Sequence, residues 1–165
     1  MNLLNDIDRL TRQDGLPVII TDGGRAAAGY KGKAGDCVAR SIAIASGHPY
    51  DEVYEYLSRG TGDQRATSRT GRRPATAARG INTGRKWFKD YMTELGFEWI
   101  PTMHIGSGCQ VHLRRYELPM GRLVVSISRH FTAVVDGVVF DTHDPTRNGT
   151  RCVYGFYRLK PTTGL

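Results

Sequence analysis

The sequence predicts an α+β domain in which helices come first and an antiparallel sheet follows. Apolar residues recur at helical spacing between residues 37 and 95, whereas β-branched and aromatic runs dominate residues 97–159. At 165 residues the chain is long enough to bury one substantial core. We therefore expect a single domain spanning residues 1–165.

Four stretches have the apolar spacing of helices. The best delimited one begins after Asp36, whose carboxylate can accept the free N–H groups of a first turn. It ends before Gly47, which adopts a left-handed conformation without a Cβ clash. The predicted helices are residues 2–12, 37–46, 50–57 and 83–95.

The strand candidates are short apolar runs bounded by turn residues. The last of them is aromatic-rich, and we expect it at an edge of the sheet. Outside the hairpin described next, the predicted strands are residues 16–21, 97–102, 123–127 and 152–159.

Residues 126–144 have the pattern of a β-hairpin. Both arms are rich in β-branched residues, and Asp136-Gly137 between them is a strong two-residue turn signal. A turn centred on this pair makes Val135 face Val138, which sets the register of the whole hairpin.

This register places His130 opposite His143. Asp141 then becomes the diagonal neighbour of His130 on the same face of the sheet, within reach of a side-chain contact. Asp144 falls on the other face unless a one-residue bulge reverses the alternation. An imidazole beside a carboxylate is the arrangement that orients a general base.

Cys37 lies at the first turn of the predicted second helix. The positive end of the helix dipole favours a thiolate over a thiol, which is what a nucleophilic cysteine needs. The neighbouring Asp36 acts in the opposite direction, and the sequence leaves the net sign open. The alternative interpretation is that Cys37 is only a small apolar residue of a core helix.

The segment Gly35-Asp36-Cys37 before an alanine-rich helix, together with His130 and its hairpin, resembles the active site of papain-like cysteine peptidases. The likeness is greatest to the small bacterial double-glycine-leader peptidases, and the chain also resembles small phage-encoded proteins. The resemblance implies a papain-like fold, with N-terminal helices packed on an antiparallel sheet. It also implies a protein or peptide substrate and no metal or other cofactor.

In that family Cys37 would attack an amide carbonyl, and His130 would protonate the leaving group. Asp141 would orient His130, and the hairpin register favours it, whereas Asp144 is favoured by analogy because an Asp-Pro pair follows the second strand in the leader peptidases. Lys31 occupies the place of the family's oxyanion-stabilising glutamine, so it is the candidate oxyanion donor. Peptidases, deamidases and transglutaminases share this set of groups.

The net charge of +7 is concentrated in residues 59–89, where nine basic residues accompany a single acid, Asp63. Residues 59–83 contain almost no large apolar side chain, so we expect a long mobile loop. The alternative function is a non-catalytic binding module that engages nucleic acid or an acidic protein through this segment. The basic residues are Arg59, Arg65, Arg69, Arg72, Arg73, Arg79, Arg85, Lys86 and Lys89.

Apolar runs of membrane-spanning length are absent from the sequence, and its start is too polar for a signal peptide. We expect no membrane partner. Three widely spaced cysteines argue against a disulfide framework and for a reducing cytoplasm, that of the host if the chain is phage-encoded. His104, Cys109 and His112 lie close together but lack the usual ligand spacing for zinc.

Overall fold

The computed structural model describes residues 15–69 and 71–163, so the helix predicted at residues 2–12 lies outside the described residues. Within these ranges the chain has three helices and one mixed seven-stranded sheet, an α+β architecture as predicted. The helices are α1 (Cys37–Ser46), α2 (Tyr50–Asp63) and α3 (Lys86–Glu94). The strands are β1 (Val18–Ile20), β2 (Phe97–Pro101), β3 (Val111–His112), β4 (Arg122–Ile127), β5 (His130–Val135), β6 (Val138–Asp141) and β7 (Cys152–Leu159).

The main path of the sheet runs in the order β1-β6-β5-β4-β7-β2, and β3 also pairs with β7. All pairings are antiparallel except that between β1 and β6, which is parallel, so the expectation of a purely antiparallel sheet is wrong for β1. A strand that precedes the helices reaches the sheet by a crossover, which permits the parallel direction.

The expectation that residues 152–159 form an edge strand is also wrong, because β7 lies between β4 and β2. Its side chains alternate between two buried environments. Tyr157 belongs to the apolar cluster beneath the helices, whereas Val153 and Phe156 belong to the cluster on the opposite face. Aromatic and β-branched residues on both faces are therefore the signature of an interior strand here.

The helices cover one face of the sheet. Val38, Ile42 and Ala45 of α1 are buried in the cluster that also contains Val124 of β4, and α1 packs chiefly on β5. This packing brings the amino terminus of α1 next to the beginning of β5. Gly47 ends α1 in the predicted left-handed conformation, with φ of 76°.

The predicted capping role of Asp36 is wrong. Asp36 precedes α1, but its carboxylate makes no capping hydrogen bond. It pairs instead with the guanidinium of Arg40 and accepts a hydrogen bond from the Tyr50 hydroxyl. A fully buried carboxylate is stabilised more by a cation than by neutral N–H groups, so the ion pair takes its place.

Part of the basic segment is structured. α2 continues to Asp63, beyond the predicted end at residue 57, and α3 begins at Lys86 rather than at residue 83. Position 60, within α2, is occupied by glycine, because a Cβ there would lie only 2.5 Å from the Trp87 ring. In the connection that follows, Ala77 is fully buried, so this part is not wholly solvated.

A disulfide joins Cys109 to Cys152, and Cys37 is the free cysteine. The argument from cysteine number against a disulfide is therefore wrong, because wide spacing in sequence does not prevent β3 and β7 from lying side by side. A cytoplasmic location stays a prediction, and the number and spacing of the cysteines no longer support it. Among the described helices, none has the length and apolar character needed to cross a membrane.

Candidate active site

The hairpin of β5 and β6 has the predicted geometry. Asp136 and Gly137 form its turn with φ of 48° and 77°, and Val135 pairs with Val138. Positive φ at both turn residues matches the right-handed twist of the two strands. The same register brings the rings of His130 and His143 to a centroid distance of 5.0 Å.

His130 begins β5, and Asp141 ends β6. The Nε2 atom of His130 lies 2.6 Å from Oδ2 of Asp141, and Asp141 is only 3% exposed. The backbone N–H of Thr142 donates to the other oxygen of Asp141 at 2.7 Å. The carboxylate is thus held on two sides, and it fixes the orientation of the imidazole.

Cys37 is the first residue of α1 and is partly buried. The His130 side chain and the backbone N–H of Phe131 lie close enough to its thiol to lower the pKa of Cys37. Since Nε2 of His130 is engaged by Asp141, the other ring nitrogen, Nδ1, is the one left for the thiol. The three side chains therefore form a continuous chain from thiol to imidazole to carboxylate.

The electrostatics of this chain favour a charged thiol and a charged imidazole. Burial raises the pKa of Cys37, but contacts with His130 and the Phe131 N–H outweigh it, so the pKa is lowered overall. Burial lowers the pKa of His130, but Asp141 and Cys37 raise it to about 9. Burial likewise raises the pKa of Asp141, but the hydrogen bonds to its carboxylate, first that with His130, and the charge of His130 together lower the pKa overall. The shifts of Cys37 and His130 both favour a thiolate–imidazolium pair.

Arg40 links the two buried carboxylates around the site. It pairs with Asp36, and its Nη2 atom lies 3.7 Å from Oδ1 of Asp141. Arg25 approaches Asp36 at 3.4 Å and donates to the Tyr50 hydroxyl at 2.8 Å. Two guanidinium groups thus compensate Asp36, which removes much of its opposition to a thiolate at the next residue.

The sequence interpretation missed this network. The sequence feature that indicates this network is Arg40, a single cation in a largely apolar helix, four residues after Asp36. A buried arginine at that spacing indicates an ion pair rather than a solvated surface charge.

Cys37 and His130 open into a cleft of about 970 Å³. Three exposed cations lie along it: Lys33, Arg79 from the basic segment, and Arg129. These cations give the cleft a positive rim, which favours anionic ligands.

The other two candidate residues lie apart from Cys37, His130 and Asp141. Lys31 is exposed and is not among the described residues that line the cleft, although its backbone carbonyl accepts a hydrogen bond from Arg25 at 3.2 Å. Asp144 accepts hydrogen bonds from the N–H and hydroxyl of Thr146, at 2.8 and 2.7 Å. The hairpin is unbulged through Asp141, so Asp141 is the carboxylate that reaches His130.

His130, Asp141 and His143 form a group that could hold a metal ion, since their ligand atoms lie within 4.8 Å of one another. However, the guanidinium of Arg40 already faces Asp141, and a cation there opposes a second one. The arrangement fits a protonated imidazole better than a metal. Cys109, considered above with His104 and His112 for zinc, is occupied by its disulfide.

In comparisons with protein-family models, curated proteins and solved structures, the chain matches none of them. The function therefore has to be inferred from the geometry of the site.

Proposed function

We propose that the protein is a hydrolase or acyl transferase with a Cys-His-Asp triad that acts on an amide bond, in the manner of papain-like cysteine peptidases. The observation that carries the proposal is the position of His130, which contacts the Cys37 thiol on one side and the Asp141 carboxylate on the other. The opening of both Cys37 and His130 into one cleft supports it, because a substrate has access to both.

In the proposed reaction the Cys37 thiolate attacks the carbonyl carbon of the amide. The electron pair of the carbonyl moves to its oxygen, which the free N–H groups at the amino terminus of α1 stabilise. When the C–N bond breaks, the imidazolium of His130 gives its proton to the leaving nitrogen, which departs as an amine. The acyl group remains on Cys37 as a thioester.

The second half regenerates the enzyme. Neutral His130 takes a proton from water, or from an acceptor amine, as its oxygen or nitrogen attacks the thioester carbon. The C–S bond breaks, and Cys37 leaves as a thiolate. Asp141 keeps the ring in one orientation and stabilises its positive charge throughout.

A complex peptide mixture tests this proposal without a known substrate. Wild-type protein with its disulfide intact is incubated with peptides from a digested proteome, and new peptide termini are identified by mass spectrometry. We expect cleavage products or amine-exchange products with wild type and none with Cys37→Ala or His130→Gln. Identical peptide profiles for wild type and Cys37→Ala would reject the hydrolase proposal.

The second candidate is a non-catalytic module that binds nucleic acid or an acidic protein through residues 59–89. It is favoured by charge, because in the described part of the chain Lys86 is the one basic residue of this segment that forms a salt bridge, with Asp90. Contact with several phosphates predicts a steep loss of affinity for nonspecific DNA or RNA as the salt concentration rises. Absence of such binding at low salt would remove this candidate.

A further inference from the structure

A second pocket adjoins the catalytic cleft at His130. It has a volume of about 390 Å³, and His130, His143 and Arg129 line both this pocket and the catalytic cleft, whereas Cys37 lines only the cleft. The two spaces are therefore neighbours that meet at the imidazole of His130.

Three arginines line this pocket: Arg129 from the turn between β4 and β5, and Arg147 and Arg151 from the segment that leads into β7. Among the described residues, none of the three forms a salt bridge. The lining acid, Asp144, is engaged with Thr146. The pocket thus concentrates positive charge that an anion would neutralise.

The chain holds these arginines together against their mutual repulsion. Burial, and then the nearby charge of Arg147, lower the pKa of Arg151. The Nη2 atom of Arg151 is fixed by a 2.6 Å hydrogen bond to the backbone carbonyl of Ser128, and its buried Nε atom has no partner. Such a cluster is stabilised when a carboxylate accepts from the guanidinium groups.

Backbone strain supports the same conclusion. Arg129 and Arg147 have φ of 55° and 49°, in the left-handed region where glycine or asparagine is favoured. Two non-glycine residues in this region thus flank one pocket, and strained residues concentrate at functional sites.

The position of this pocket next to His130 indicates which part of a substrate it would bind. His130 must lie next to the leaving nitrogen in order to protonate it. Chain beyond that nitrogen therefore passes His130 and enters the neighbouring space. We propose that Arg129, Arg147 and Arg151 bind an acidic side chain on the leaving-group side of the scissile amide. This proposal rests on the proposed function. The substrate is then a protein or peptide with Asp or Glu shortly after the cleaved bond.

The binding half of the test uses Cys37→Ala protein, in which no turnover can interfere. N-acetylglutamate α-amide and N-acetylglutamine α-amide, which differ by one carboxylate, are titrated while the ring and guanidinium signals of the pocket are followed by NMR. We expect saturable shifts of His143 and Arg151 with the glutamate probe, and affinity about 10- to 100-fold weaker with the glutamine probe. Arg147→Gln should remove this difference. The matched control Arg115→Gln removes the same charge from an exposed position outside both pockets and outside the basic segment, and it should keep the difference.

The catalytic half compares cleavage sites in the peptide mixture. Wild type and Arg115→Gln should favour Asp or Glu in the first two positions after the cut, and Arg147→Gln should lose this preference while still cleaving. Cleavage without acidic preference would overturn the inference, as would equal affinity for the two probes. Binding of an oligonucleotide at these signals without binding of the glutamate probe would also overturn it. Saturable, Arg147-dependent glutamate binding without cleavage of any peptide would support the pocket and reject the hydrolase proposal.

Discussion

Replacing Asp141 by Asn tests the carboxylate of the proposed triad while keeping the shape of the side chain. The substitution removes the negative charge that lies 2.6 Å from Nε2 of His130 and leaves an amide in its place. Arg40 keeps its pairing with Asp36, so the buried guanidinium is not left alone. The expected change is therefore in His130 rather than in the fold as a whole.

The magnitude follows from the pKa of His130, which is about 9 with Asp141 as the strongest influence raising it. Without that charge, burial still lowers the pKa of His130 and Cys37 still raises it, so the pKa falls from about 9 towards the ordinary value of 6.5. At pH 7.5 a group with a pKa of 6.5 is about one tenth protonated, whereas one with a pKa of about 9 is almost fully protonated. The population of the thiolate–imidazolium pair should fall by up to about tenfold.

The assay is the rate at which iodoacetamide alkylates Cys37 at pH 7.5, followed by mass spectrometry under non-reducing conditions, together with the NMR titration of His130. Asp144→Asn is the matched control, because Asp144 is exposed and contacts Thr146 rather than His130. We expect Asp141→Asn to be up to about tenfold slower than wild type and Asp144→Asn to be unchanged. A slow Asp144→Asn beside a normal Asp141→Asn would refute the assignment of Asp141.

Three further predictions concern stability, each measured by urea unfolding. The pKa of His130 is raised from 6.5 to about 9, so the stability that its protonated form contributes is complete below pH 6.5. This stability is lost as the pH rises through about 9. The free energy of unfolding should therefore fall by up to about 3 kcal/mol more in wild type than in His130→Gln over this range, and parallel curves would contradict it. Asp36→Asn should cost about 3 kcal/mol because it leaves the buried Arg40 with only the more distant carboxylate of Asp141, 3.7 Å away, whereas the exposed control Glu55→Gln should cost little; equal effects would contradict the network. Reduction of the Cys109–Cys152 disulfide, whose cysteines are 43 residues apart, should lower the free energy of unfolding by about 4 kcal/mol. The double variant Cys109→Ser/Cys152→Ser should be insensitive to reductant. A wild-type protein that is equally insensitive would argue against the disulfide.

The local geometry of the hairpin could be predicted from the sequence because one turn determines it. Once Asp136-Gly137 forms a tight turn, counting outward places His130 and Asp141 on one face without further information. The position of Cys37 could be predicted for a similar reason, since it depends on the start of one helix. Its contact with His130 needed the packing of α1 on β5, which the resemblance to papain-like peptidases supplied.

Features that depend on distant partners could not be predicted. Asp36 is a reasonable helix cap by residue type, and only the fold brings Arg25 and Tyr50 to it. The interior position of β7 and the disulfide from Cys109 depend on which strands become neighbours. The pocket of arginines likewise joins a turn and a later loop whose proximity is set by the sheet.

The most direct test of the central claim, an activated Cys37, is the pH dependence of its alkylation by iodoacetamide with the disulfide intact. Cys37 is then the free thiol of the chain, and the rate rises as the pH passes its pKa. We expect a midpoint below the ordinary thiol value of 9.0 in wild type, and a midpoint moved upward in His130→Gln. A wild-type midpoint at or above 9.0, unchanged by His130→Gln, would contradict it.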